Sequence, residues 1–170
     1  MTALLLPLLA AVPVMAAALT AMLPWRAVGR AMALAVPAAT AVAGFGLLLH
    51  HRSDPVVATQ VGGLVPGVSI PFVSDPFTAL MLIATGVVAL TALVFCAQTG
   101  EFDRSRYFAP LALLLLAGAN GALLTGDLFN LFVFVEVMLL PSYALIAMTG
   151  TWRRLGVGRL FVVINLLTST

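Results

Sequence analysis

Most of the charge in this chain lies between its apolar stretches, and one acid breaks the pattern. The stretch "TGDLFNLFVFVEVMLLPSYALIAMTG", residues 125 to 150, carries Asp127 at its start and Glu136 in its middle. Asp127 follows a Thr-Gly turn and precedes the apolar run, which suits a helix cap meeting the positive end of the helix dipole. Glu136 lies nine residues further on, about 13 to 14 Å deeper at the helical rise. Neither a cap nor a snorkelling side chain accounts for an acid at that depth. On a helical wheel Phe129, Phe132, Val133, Leu140 and Tyr143 share its face. Low-dielectric surroundings penalise the charged form of a carboxyl, so an acid in such a frame is suited to taking and giving a proton. The bland alternative is a static hydrogen bond or a structural ion pair.

Several neighbours bear on the same chemistry. Pro141 has no N–H, so the carbonyl of Val137 loses its usual helical partner. That carbonyl and Ser142 are expected to hold water beside the acid, with Tyr143 assisting hydration. Asn130 projects from another face and is expected to bond a neighbouring helix, near Asn120 of "LLAGANGALL". A lone intramembrane acid calls for a counter-charge, yet the chain has no lysine and its arginines sit at the ends of the apolar stretches. The partner is therefore expected in a C-terminal portion beyond residue 170 or in another subunit.

The elements that must position these residues follow from composition. Hydrophobic residues make up 62% of the 170 and charged ones only 8%, against about a quarter charged in soluble domains. The chain reads as an all-α integral membrane protein. Uncharged stretches at 1–25, 31–49, 76–100 and 107–126 are each long enough to cross roughly 30 Å of hydrocarbon. A fifth, 128–152, is interrupted only by Glu136, and a sixth starts near Leu155 and looks cut off at Thr170. About six transmembrane helices are expected. "MTALLLPLLAAVPVM" lacks a basic n-region and runs into a full-length span, so it is expected to be retained as the first helix.

Alternating sides put seven of the eight arginines (Arg26, Arg30, Arg104, Arg106, Arg153, Arg154 and Arg159) on one side and Arg52 on the other. The positive-inside rule then places the N-terminus and the "TGD" turn outside. The long outer loop, about 50–75, is rich in Gly and Pro, and extended segments or a short hairpin on the membrane surface are expected there. "SDPF" starts the third helix with Ser74 or Asp75 as cap and Pro76 in its first turn. His50 and His51 are read either as a proton-collecting pair or, more blandly, as interfacial residues ending a helix. Cys96 has no partner cysteine and reads as a small apolar residue. No phosphate loop, metal-ligand spacing, nucleophile elbow or basic aromatic patch appears, so no cofactor, metal or nucleic acid is expected.

The motif "GDLFNLFVFVEV", with "LLAGANGALLTGD", "SDPFTALM" and the "GG…PF" loop, resembles the antiporter-like family. That family is shared by Mrp-type multisubunit Na⁺/H⁺ antiporters, whose D subunit is the nearest likeness, and by the proton-pumping membrane arm of respiratory complex I. The resemblance implies an N-terminal portion of a fourteen-helix fold with inverted repeats. Three leading helices would occupy 1–98 and the first three helices of the first repeat 107–170. It also implies a subunit of a cation/proton antiporter in a prokaryotic cell membrane, in which H⁺ influx drives efflux of Na⁺ or another monovalent cation. Other membrane subunits of the complex and the lipid bilayer would be its partners. Glu136 would be the proton carrier, working with lysines on later helices, and Asp127 and Asn130 would shape the outer end of its helix. The alternative is a proton-translocating subunit of an NADH:quinone oxidoreductase-type complex; a third reading is a structural scaffold.

Overall fold

The computed structural model describes residues 2–23, 25–61, 69–148, 156, 160 and 162–165. Helices α1 (Thr2–Met22), α2 (Arg26–His50), α3 (Pro76–Gln98), α5 (Phe108–Leu124) and α6 (Leu128–Ala147) run back and forth between two ends. A short α4 (Glu101–Arg104) and a hairpin of β1 (Val57–Val61) and β2 (Ile70–Ser74) lie in the connections. Of these, α2, α3, α6 and residues 5–22 of α1 are long and apolar enough to cross a membrane; α5, at 17 residues, is shorter. At 1.5 Å per residue α5 still measures about 26 Å. The chain is a multi-pass membrane protein. Of the sixth expected span only 156, 160 and 162–165 are described, all helical; Arg153, Arg154 and Arg159 fall outside the described residues.

Helix termini follow local chemistry. Asp75 caps α3, its Oδ1 accepting from the Thr78 N–H at 2.6 Å, with Pro76 next to it where no N–H is needed. Ser74 is buried instead and bonds His51. Asp127 caps α6, its Oδ2 accepting from the Asn130 N–H at 3.1 Å. The helices continue through Pro7, Pro13, Pro37 and Pro141, as membrane helices commonly do.

The contacts identify which connections share an end. At one end, the Arg30 guanidinium of α2 meets the Asp103 carboxylate of α4 at 3.0 Å and lies 5.9 Å above the Phe102 ring. Arg26 and Arg106 line a small cleft beside Phe102, and Arg104 pairs with Glu101 on α4; we call this the arginine end. At the other, the antiparallel hairpin (Val57 opposite Ser74, Val61 opposite Ile70) packs against α1 and touches α3 and α5. Phe72 forms a bridge with Thr125, and the Gly126 N–H donates to the Pro71 carbonyl at 2.9 Å. The expected hairpin is therefore present and is tied to the Thr-Gly-Asp turn. A Cβ on Gly126 would stand 2.8 Å from Val73 Cγ2, so the turn needs glycine for this approach.

Helix α5 is the centre of the bundle. Ten of its seventeen residues are buried, against α1, α2, α3 and α6. Its small residues let α6 come close: a Cβ on Gly118 would lie 2.8 Å from the Met138 nitrogen and 2.9 Å from the Phe134 carbonyl oxygen. Small residues at such crossings are the usual means of helix association in lipid.

Candidate functional site

Glu136 is the ninth of the twenty residues of α6, where the sequence puts it. The helix is seated on α5 by the face carrying Phe134 and Met138, and Phe134 also meets Phe72 of the hairpin edge-on at 6.2 Å. Positions 134 and 138 lie about 160° around the wheel from 136, so Glu136 points away from that seat. Its surroundings differ from the sequence expectation in one respect. The apolar residues on its face are largely open: Phe129 is 74% and Leu140 69% exposed. Glu136 as a residue is only half-buried. The cause is packing: the described helices cover α6 on one side, and two of its twenty residues, Asn130 and Pro141, are buried. Within this half-open setting the Glu136 Oε1 atom is shielded and has no hydrogen-bond partner among the described residues.

The residues expected around it have distinct positions. Pro141 is buried, but Ser142 donates to the Leu139 carbonyl at 2.7 Å. Its proton is therefore not directed to the Val137 carbonyl, because a serine hydroxyl on a helix reaches a carbonyl three or four residues back most readily. Tyr143 is half-buried on the same helix. Asn130 is 8% exposed and its Nδ2 has no partner among the described residues. Asn120, fully buried, donates from Nδ2 to the Leu9 carbonyl of α1 at 3.0 Å and to the Thr40 Oγ1 of α2 at 3.2 Å. Asn120 thus ties three helices together, but the expected link to Asn130 is not made, because its amide turns toward α1 and α2.

Both histidines make local contacts at the start of the hairpin connection. His51 is buried, with Nδ1 2.9 Å from the Asp54 carbonyl and Nε2 3.0 Å from Ser74 Oγ, so it staples the start of the hairpin to its end. His50 lies 3.5 Å from Asp54 Oδ2. At the hairpin end, sequence reading missed a chamber of about 410 Å³ lined by Gln60, Ser69, Ile70, Pro71, Gly126, Asp127, Phe129 and Asn130. Nothing in the spacing of residues 60 and 69 relative to 127 foretells it, since it depends on the hairpin folding over the turn.

The described helices define a class, a multi-pass membrane bundle, with an acid halfway along one incompletely covered helix that has no hydrogen-bond partner among the described residues. No family model matches the chain. It is 44% identical over 124 residues, 72% of its length, to the D subunit of the Na⁺/H⁺ antiporter of Alkalihalophilus pseudofirmus, of which it covers 25%. It superposes on a chain of the Mrp complex of a Dietzia species with a TM-score of 0.89 at 43% identity, covering 97% of this chain and 32% of that one. The chain belongs to the family of Mrp-type antiporter D subunits. The D subunit of a probable K⁺/H⁺ antiporter of Rhizobium meliloti is 40% identical over 110 residues, 65% of this chain and 20% of that protein. A chain of an archaeal respiratory membrane complex, the membrane-bound sulfane sulfur reductase, matches with a TM-score of 0.80 at 25% identity, covering 98% of this chain and 34% of that one. The chain spans about a fifth to a third of the length of these proteins.

Proposed function

We propose that this chain forms part of a membrane subunit of a multisubunit cation/proton antiporter, in which Glu136 takes up and releases the proton whose influx drives efflux of Na⁺ or another monovalent cation. It would act as a transporter subunit, with other membrane subunits of the complex as partners, and not as a catalytic enzyme. The observation that carries the reading is the Glu136 Oε1 atom, shielded and without a partner among the described residues midway along α6, in a chain similar to antiporter D subunits. Carboxylates at such depth are costly and usually line an ion path. Asp127 and Asn130 shape the end of the helix nearest the hairpin, while Pro141 and Tyr143 flank the acid on its far side. The counter-charge to Glu136 comes from elsewhere in the complete subunit or from a neighbour, facing the open side of α6. This reading goes with an N-terminal portion of the fourteen-helix fold, divided into leading helices (1–98) and the start of a repeat (107–170). The arginine distribution supports a cytoplasmic arginine end and an outer N-terminus in a prokaryotic cell membrane.

The test is Glu136→Gln in the complete complex, assayed in everted vesicles for collapse of a respiration-generated pH gradient on adding Na⁺. Exchange is expected to be lost with assembly intact; normal exchange by a normally assembled complex would refute the role. A scaffold role predicts the reverse, reduced assembly with unchanged turnover per complex. The likeness to a respiratory membrane complex favours a second reading, a proton-translocating subunit of a redox complex. Purified with its partners, the chain would then copurify with redox subunits and its proton movement would require an electron donor.

A further inference from the structure

Pro13 interrupts α1 at a chemically defined point. Having no N–H, it leaves the carbonyl of Leu9, four residues back, without its ordinary helical donor. Pro13 is fully buried, and an unpaired carbonyl in a dry interior is costly. The Leu9 carbonyl is the one that Asn120 of α5 meets, its Nδ2 donating at 3.0 Å. The same Nδ2 donates to Thr40 Oγ1 of α2 at 3.2 Å, and the Thr40 hydroxyl donates to the Val36 carbonyl. Helices in lipid tolerate prolines where a neighbouring helix supplies the missing bond.

These polar atoms form a layer between two apolar clusters. Ala10, Leu47 and Leu124 belong to the cluster nearer the hairpin, and Ala16, Val36 and Leu116 to the next one along the same three helices. Each of α1, α2 and α5 therefore contributes to both clusters and crosses the polar layer between them. Close-packed apolar side chains resist deformation. Within the layer, by contrast, the three helices are joined among the described residues by two hydrogen bonds from one amide. Asn120 Oδ1 has no partner among the described residues, so the layer is not saturated even with both bonds made.

We infer that this layer is a joint: Pro13 divides α1 into two segments, and Asn120 latches them by standing in for the N–H that the proline lacks. Sharp bends in helices form at prolines. With the latch made, the two segments of α1 hold one arrangement. With it broken, α1 bends at residue 13, and the hairpin packed against its first segment tilts on the rest of the bundle. The joint is independent of the role of Glu136.

The experiment is hydrogen exchange of the complete complex, read by mass spectrometry on peptides covering residues 9–17. Asn120→Ala is expected to speed exchange at Val14, Met15 and Ala16, whose helical bonds straddle Pro13. The expected factor is about fivefold, the size that one hydrogen bond between membrane helices carries. Peptides of α3, to which Asn120 makes no bond among the described residues, should be unchanged. Pro13→Ala restores the N–H and gives the Leu9 carbonyl a donor within its own helix. In that background Asn120→Ala should leave α1 exchange unchanged, the non-additivity that marks coupled groups. An equal rise in both backgrounds would make Asn120 a tie indifferent to the proline and overturn the joint. A rise spread evenly over α1 and α3, or no rise at all, would also overturn it. Where Pro13→Ala fails to assemble, Pro13→Gly supplies the same N–H; where Asn120→Ala fails, Asn120→Ser removes the reach to Leu9 and leaves a smaller void.

Discussion

Helices α5 and α6 lie side by side and are similarly apolar, yet one is enclosed and the other is not. Ten of seventeen residues of α5 are buried but only two of twenty in α6. The polar residue in α5, Asn120, reaches two other helices with its amide; the acid in α6 reaches no partner among the described residues. Polar groups in the two helices therefore serve different ends. Asn120 contributes to holding the bundle, whereas Glu136 makes no hydrogen bond among the described residues, which fits the proposed role on the open side of its helix.

The strongest way to break this contrast is to substitute a residue on each helix and compare. Glu136→Gln in the assembled complex should remove exchange while leaving thermal stability of the complex within about 0.5 kcal/mol, the usual range for positions without a structural bond. A large drop in melting temperature, with exchange per complex unchanged, would show that the acid is structural and that the contrast is wrong. A different pattern is expected where α5 meets α6, with stability and exchange lost together. A side chain at Gly118 meets backbone atoms of Phe134 and Met138, not a flexible tip, so Gly118→Leu should cost at least about 1 to 3 kcal/mol by overpacking. Tilting α6 off its seat should also lower exchange, because Phe134 is two residues from Glu136. Thermal unfolding in detergent, alongside the vesicle assay, reads both.

Asn120→Ala sharpens the comparison at a smaller scale. It removes one buried and one part-buried hydrogen bond but leaves Thr40 donating to the Val36 carbonyl at 3.1 Å, so no hydroxyl proton is stranded. A loss of about 1 kcal/mol is expected, in line with hydrogen bonds between membrane helices, with the dependence of exchange on pH unchanged. A shifted pH dependence would mean that Asn120 communicates with the proton-handling group and is not only a tie.

Much of this is legible in the sequence for a physical reason: in lipid the pattern of charge is nearly the pattern of structure. Charge-free stretches mark α1, α3, α5 and most of α2, a stretch broken only by Glu136 marks α6, and Asp75 and Asp127 announce helix starts because short acids bond free N–H groups there. Gly and Pro in 50–75 announce an excursion, and it holds the hairpin. What escapes is whatever depends on two distant segments meeting. Gly126 reads as a turn glycine, but it serves the approach of Val73. Gly118 carries no mark of its own beside Asn120. Pairing Asn120 with Asn130 follows from both being amides, whereas the bonds of Asn120 go to a carbonyl on α1 and a hydroxyl on α2. Ser69 and Gln60 carry no signal at all until the hairpin brings them over Asp127.

The smallest effect concerns the two caps, which use the same chemistry at the hairpin end. Asp75 sits below the ordinary carboxyl value because it accepts the Thr78 backbone N–H and is bonded by Thr78, outweighing the modest opposing effect of burial. A carboxyl with a lowered folded-state value stabilises the fold above its unfolded value, and that stabilisation is lost as pH falls through the folded one. The cap of α3 should therefore be at full strength at neutral pH and weaken only below about pH 4. Asp75→Asn retains a cap without a titrating group, so the variant should match the parent's stability at neutral pH to a few tenths of a kcal/mol and lose less between about pH 5 and 3. Asp75→Ala should cost about 1 kcal/mol at neutral pH. If Asp75→Asn follows the parent's acid loss step for step, another carboxylate controls it.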